Sequence, residues 1–194
     1  LWRSVRASVN EPWGVPTLVA DVGPVNTPHV SGDGLSLHLS RSSGMADEDI
    51  FVMTRASRTA DWSPATIVAN INVPGYSDKA AAVYAGGLRM IFASNRPGTE
   101  GDLDFYLARR DNIADEWGVD VQHLTDVSTT KFETRAWLIE SGERFYFHSI
   151  RSAVTTSDLY VATYSDVTRD YGDVQRIDAL SSDLYDEDIA VSND

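Results

Sequence analysis

The sequence predicts an all-β fold built from repeated four-stranded units, on three observations. Residues 49–62 (DIFVMTRASRTADW) return as residues 104–117 and again as 158–171, each running from an Asp to an aromatic residue. The turn glycines Gly34, Gly87 and Gly142 lie 53 and 55 residues apart, and Asp49, Asp104 and Asp158 lie 55 and 54 apart. Short apolar or alternating runs fill each interval in the same order, with no helical periodicity. Four short strands per unit of about 50 residues is one propeller blade. The expectation is a β-propeller of four-stranded antiparallel blades, the chain covering about three and a half to four of them as one domain.

Residues 1–24 form a partial unit: residues 1–6 match the strand at 50–55, and Trp13-Gly14-Val15-Pro16 closes it. In the unit 25–72, residues 28–31 read as a first strand and Gly32-Asp33-Gly34 as a tight turn, since Gly accepts positive φ. Leu35, Leu37 and Leu39 alternate with polar residues in the second strand. Residues 50–54 are apolar on both faces, as a strand packed between two sheets must be, and Ile67, Val68 and Ile71 mark an outer strand. The unit 73–124 repeats this order with strands at 81–84, 88–94, 105–108 and 119–124 around Gly86-Gly87 and Trp117-Gly118. The unit 125–177 places strands at 136–139, 144–148, 159–163 and 174–177, with turns at Ser141-Gly142 and Tyr171-Gly172. Residues 178–194 restart the pattern at its innermost strand.

The chain thus begins inside a third strand and ends on a first strand. An open sheet edge invites association. We therefore expect a part of a larger, five- to eight-bladed propeller, or completion by another chain. The first residues lack the layout of a signal peptide and an initiator Met, which suggests a processed or trimmed product.

Composition removes several function classes. The net charge of −13 repels phosphate backbones, so no nucleic-acid partner is expected. No apolar run is long enough to predict a membrane span. Cysteine is absent, which excludes disulfides and thiolate metal sites. No HxH, HExxH, GxSxG, GxGxxG or P-loop motif is present.

The run SGDGLSLHLS, followed by DIFVMTR and a Trp-Ser turn, resembles the TolB-type propeller repeat, a WD-repeat-like family. That repeat reads Pro-x-x-Ser-x-Asp-Gly, an apolar second strand, a Gly-rich loop and Asp-Ile-Tyr. The resemblance spans essentially the whole chain; the unit 73–124 replaces the turn Asp with Gly86 and the unit 125–177 with Ser141. It implies a rigid protein- or glycan-facing scaffold in the bacterial periplasm or outside the cell.

Aligning the units by their turn glycines puts Val25, Asp78, Glu133 and Asp186 in one column, Asp186 entering by matching Val191-Ser192 to Val30-Ser31. The next column holds Asn26, Lys79, Thr134 and Glu187. Residues preceding the innermost strands face the mouth of a propeller channel, so Asp78, Glu133, Asp186, Glu187, His29 and Arg135 are candidate channel-mouth residues. Converging carboxylates can hold a cation or act as acid and base. They can equally be loop acids that bond nearby backbone.

Asp49, Asp104 and Asp158 have acids before them (Asp47, Glu48, Glu100, Asp102), which raises calcium, but the third copy offers only Thr155, Thr156 and Ser157. The plainer reading is structural, with no cofactor. Trp13, Trp62, Trp117 and Tyr171 form either an aromatic platform for sugars or packing between third and fourth strands, the indole N–H reaching a carbonyl. The favoured function is a non-catalytic binding or scaffold module for a protein or glycan partner. The alternatives are a propeller-type glycoside hydrolase using axial carboxylates and a structural component of a larger surface assembly.

Overall fold

The computed structural model describes residues 1–19, 22–42, 47–152 and 156–191. Strands β1 (Trp2–Arg3) and β2 (Thr17–Leu18) pair as a short ribbon. Three four-stranded antiparallel sheets follow, each made of consecutive strands. The first holds β3 (Asn26–Val30), β4 (Ser36–Ser42), β5 (Glu48–Thr54) and β6 (Thr66–Ile67). The second holds β7 (Asp78–Tyr84), β8 (Arg89–Ser94), β9 (Asp104–Arg109) and β10 (Asp120–His123). The third holds β11 (Glu133–Leu138), β12 (Arg144–Ser149), β13 (Asp158–Ser165) and β14 (Asp170–Arg176). The fold is a TolB-like β-propeller. Among the described residues the only helix is a 3-10 turn at Asp178–Leu180, and no helix is long and apolar enough to cross a membrane.

Strand alternation explains why the middle blade is apolar on both faces. Ala82, Tyr84, Ile91, Ala93, Phe105 and Leu107 pack toward the third blade, where Phe145 and Phe147 meet Phe105 edge-on. The intervening Ala81, Val83, Met90, Phe92, Tyr106 and Ala108 pack toward the first blade, against Ile50, Val68 and Ile71. One strand therefore feeds two cores.

Each inner strand carries a bulge near its start. Register slips between Asn26 and His29, Lys79 and Ala82, and Thr134 and Trp137. At each slip a non-glycine residue has positive φ: Thr27 (46°), Ala80 (54°) and Arg135 (58°), with Asp188 (58°) at the matching place in the last segment. Such backbone costs about 1–2 kcal/mol per residue, and its recurrence makes it part of the blade design.

Several boundaries depart from the sequence reading. The ladder at the N-terminus covers only two residues of the strand expected over 1–6. The outer strand β6 is also two residues long, because the Asn72 side chain replaces the ladder: its Oδ1 accepts the Ile50 N–H at 2.7 Å and its Nδ2 donates to the Ile50 carbonyl at 3.0 Å. Tyr171-Gly172, expected as a turn, lies inside β14, with the reversal at residues 166–169. Tyr171 pairs with Tyr164 across the hairpin.

Candidate functional site at the channel mouth

The turn ends of the inner strands meet. The Glu140 carboxylate accepts the Gly86 N–H at 2.6 Å, and a Cβ on Gly32 would lie 2.3 Å from Glu140 Oε2. At the opposite ends, β3, β7, β11 and residues 187–190 line an open cleft of about 680 Å3. This is the channel mouth.

Its rim is built from linked charges. Glu48 Oε2 takes the Lys79 ammonium at 2.8 Å, and Glu48 Oε1 takes the Asn26 amide at 2.8 Å. Burial pushes the Glu48 pKa up, but the Lys79 and Asn26 bonds outweigh it and hold the carboxyl below its ordinary value. Arg135 Nη1 donates to Glu187 at 2.6 Å and to Asp188 at 2.8 Å. Deeper in the cleft His29 sits edge-on to Trp137 (5.7 Å between centroids), joining the first blade to the third. The Trp137 indole donates to the Val191 carbonyl at 2.9 Å. His148, 3% exposed, also lines the cleft, and its Nδ1 has no hydrogen-bond partner among the described residues. Burial lowers the pKa of both His29 and His148, keeping the rings neutral at pH 7.

Of the six sequence-derived candidates, His29, Arg135 and Glu187 line this cleft, and Asp78, Glu133 and Asp186 do not. Asp78 is fully buried; its oxygens accept the Val73 N–H at 2.6 Å and the Arg96 guanidinium at 2.6 Å. Glu133 is fully buried and accepts the Thr129 N–H (3.0 Å), the Thr129 hydroxyl (2.7 Å) and the Ser149 hydroxyl (2.7 Å). Burial raises its pKa against these bonds and the nearby Arg151. Asp186 accepts the Ser182 N–H at 2.6 Å. Asp78 and Glu133 thus cap the loops just before their own strands, and Asp186 caps the loop before residues 187–190, where the inner strand expected from the sequence is not formed among the described residues. The mouth is displaced by one residue from the expected column, because side chains alternate and the bulge then resets the register. Glu48, Asp188 and His148 were missed. Glu48 reaches the mouth from a third strand, outside the columns that the alignment compared.

Two of the three repeated aspartates, Asp104 and Asp158, are likewise occupied. Asp104, fully buried, accepts the Glu100 N–H (2.5 Å), the Gly101 N–H (3.2 Å) and His123 Nε2 (2.9 Å). Asp158 binds the Arg176 guanidinium at 2.8 Å and the Ser152 hydroxyl, which holds its pKa below the ordinary value. Asp49 is half-buried. Among the described residues no group of three or more His, Asp or Glu is placed to hold a metal ion. Thr155, invoked for calcium in the third copy, and Ser192, used in the column alignment, lie outside the described residues.

The periodic aromatics serve the turns. Arg6, Arg55 and Arg110 stack on Trp13, Trp62 and Trp117 at 4.5, 4.3 and 4.2 Å. Arg55 Nε donates to the Gly34 carbonyl and Arg110 Nε to the Gly87 carbonyl, both at 2.8 Å. In the third blade the Tyr171 hydroxyl donates to the Gly142 carbonyl at 2.6 Å. The tyrosine therefore does the work of the arginine, in place of the expected indole-to-carbonyl bond. Trp13 differs from the others in being 63% exposed.

No family model and no curated protein matches the chain. Among solved structures it is similar to TolB from Acinetobacter baumannii, with a TM-score of 0.52 and 20% identity over 83% of this chain and 33% of that one. It is similar to a putative TolB from Agrobacterium tumefaciens, with a TM-score of 0.55 and 19% identity over 84% of this chain and 52% of that one. It is also similar to a puromycin-hydrolyzing peptidase from Mycobacterium tuberculosis, with a TM-score of 0.50 and 14% identity over 78% of this chain and 22% of that one. The chain spans between about a fifth and a half of these proteins' lengths. The likeness is one of fold.

Proposed function

We propose that the chain is a non-catalytic binding module that takes a protein segment at the channel mouth, outside the cytoplasm. The observation that carries this reading is the contrast in side chains. The buried carboxylates Asp78 and Glu133 make the same loop-capping bond in the second and third blades, whereas the mouth presents different groups on each blade: Asn26 and His29, Lys79, Arg135 and Trp137, Glu187 and Asp188. Charges of both signs around an apolar floor suit a polypeptide. Trp137 is packed edge-on against His29 with its N–H already used, which leaves less of a flat platform for a sugar. A glycoside hydrolase needs two carboxyls flanking the substrate. Asp78 and Glu133 are shut away from solvent, and Glu48, Glu187 and Asp188 are each tied to a cation.

The reading is tested by screening the chain against a displayed peptide library and a glycan array. Peptide binders whose affinity drops on Arg135→Ala or Trp137→Ala support it. Glycan binders alone move the ligand class to sugars. Turnover of aryl glycosides that is lost on Glu133→Gln would establish the enzyme instead.

A further inference from the structure

The four residues at which the inner segments turn to positive φ, Thr27, Ala80, Arg135 and Asp188, all line the channel mouth. Ala80 shows that this backbone needs no functional side chain. The residues one place before them, Asn26, Lys79, Thr134 and Glu187, also line the mouth and also differ in kind. The design common to the blades therefore does not call for acids at 187 and 188, and their surroundings show what they can do.

Among the described residues, three carboxylates and two basic side chains line the mouth. Glu48 and Lys79 neutralise each other in its less exposed part. Glu187 and Asp188 share a single nitrogen, Arg135 Nη1, so one guanidinium serves two carboxylates. One negative charge is left over, and Glu187 Oε1 and Asp188 Oδ1 bond no group among the described residues. His29 and His148 do not supply the missing charge, because burial keeps both rings neutral at pH 7. The surplus sits on the open rim, where the Asp188 side chain is 72% exposed. The chain around it carries a net charge of −13, whose field draws cations inward. Among the described residues no group of three or more His, Asp or Glu is placed to hold a metal ion. A guanidinium or ammonium group, by contrast, offers several N–H donors to two neighbouring carboxylates.

We propose that the protein segment taken at the mouth is basic, and that a Lys or Arg side chain of the partner binds Glu187 and Asp188. The proposal rests on the channel-mouth reading and adds to it the charge of the partner. Arg135 is a positioning residue for this contact, since it holds both carboxylates together on the rim. The test selects peptides on the full chain from a displayed library. The tightest is then remade with citrulline for Arg, or acetyl-lysine for Lys, which removes the charge and keeps the side chain. The expected result is enrichment of Lys and Arg among the selected peptides, and about tenfold weaker binding of the neutral peptide, the factor for one charge-assisted hydrogen bond. Glu187→Gln/Asp188→Asn is expected to abolish that difference. Asp166→Asn/Asp173→Asn, which removes the same charge from exposed positions of the third blade, is expected to keep it. No enrichment, a difference that persists in Glu187→Gln/Asp188→Asn, or one lost equally in Asp166→Asn/Asp173→Asn overturns the proposal and leaves the mouth reading standing. Absence of any peptide binder overturns both. Should Glu187→Gln/Asp188→Asn fail to fold, Asp188→Asn alone decides: an undiminished difference overturns the proposal, and a reduced one supports it.

Discussion

Asp78 and Lys79 are neighbours in one strand, yet they belong to different parts of the molecule. Asp78 is sealed in the sheet and bonded to Val73 and Arg96, whereas Lys79 stands in the mouth and bonds Glu48 from the adjacent blade. The same division separates Glu133 from Thr134 and Asp186 from Glu187. One residue of displacement changes the face of a strand. A column that repeats an acid is therefore holding its loop, and the column that varies is displaying chemistry.

The first blade completes the contrast. Val25 stands where the others have an acid, and the arginine is displaced with it. Arg41 stacks over Phe51 at 4.0 Å, where Arg96 and Arg151 stack over Tyr106 and Tyr160 at 4.8 and 4.9 Å. The aromatic-stacked cation is thus kept in all three complete blades, whether or not a carboxylate accompanies it.

The contrast breaks most readily at Asp78. Asp78→Ala leaves the Val73 N–H and the part-buried Arg96 guanidinium without their carboxylate and is expected to cost roughly 2–3 kcal/mol in urea unfolding. Lys79→Ala, next to it, is expected to cost about 1 kcal/mol or less. Equal losses would merge the two columns. A pH titration extends the contrast to a buried base. The folded His38 pKa, about 3, lies below the unfolded value of 6.5. The neutral ring therefore contributes stability that is complete above pH 6.5 and is lost as pH falls from 6.5 toward 3. The loss is roughly 3 kcal/mol by pH 4. His38→Leu is expected to flatten unfolding free energy against pH across that window; an unchanged slope contradicts the burial account. Tyr171→Phe sharpens the turn argument. It removes the bonds to the Gly142 carbonyl and the Tyr84 hydroxyl and is expected to cost about 1–2 kcal/mol. A neutral outcome would show that the third-blade turn needs no substitute for arginine.

The blades were legible because Asp, Gly and an aromatic recur at fixed spacing, and in each complete blade the glycine carbonyl and the aromatic hold the same turn. The Arg–Trp pairs were also written in the sequence, since Arg6, Arg55 and Arg110 each precede their tryptophan by seven residues. Tyr164 occupies that position before Tyr171, and the tyrosine pair then takes over the turn through a hydroxyl. The direction of the mouth was not legible. It depends on the bulges at Thr27, Ala80 and Arg135 and on the matching backbone at Asp188, where four different residue types adopt positive φ and none is glycine. Nor could spacing place Glu48 beside Lys79, because that contact joins strands of different blades.

The most direct measurement pairs affinity with stability for one peptide selected from the displayed library, using Asp78→Asn and Arg135→Ala. Asp78→Asn is expected to lower the unfolding midpoint while the folded protein keeps its peptide affinity. Arg135→Ala is expected to leave the midpoint within a few degrees and weaken the peptide about tenfold, the loss of one charge-assisted hydrogen bond. The reverse pattern, with affinity lost at Asp78 and kept at Arg135, would contradict the assignment of the mouth to the varying column.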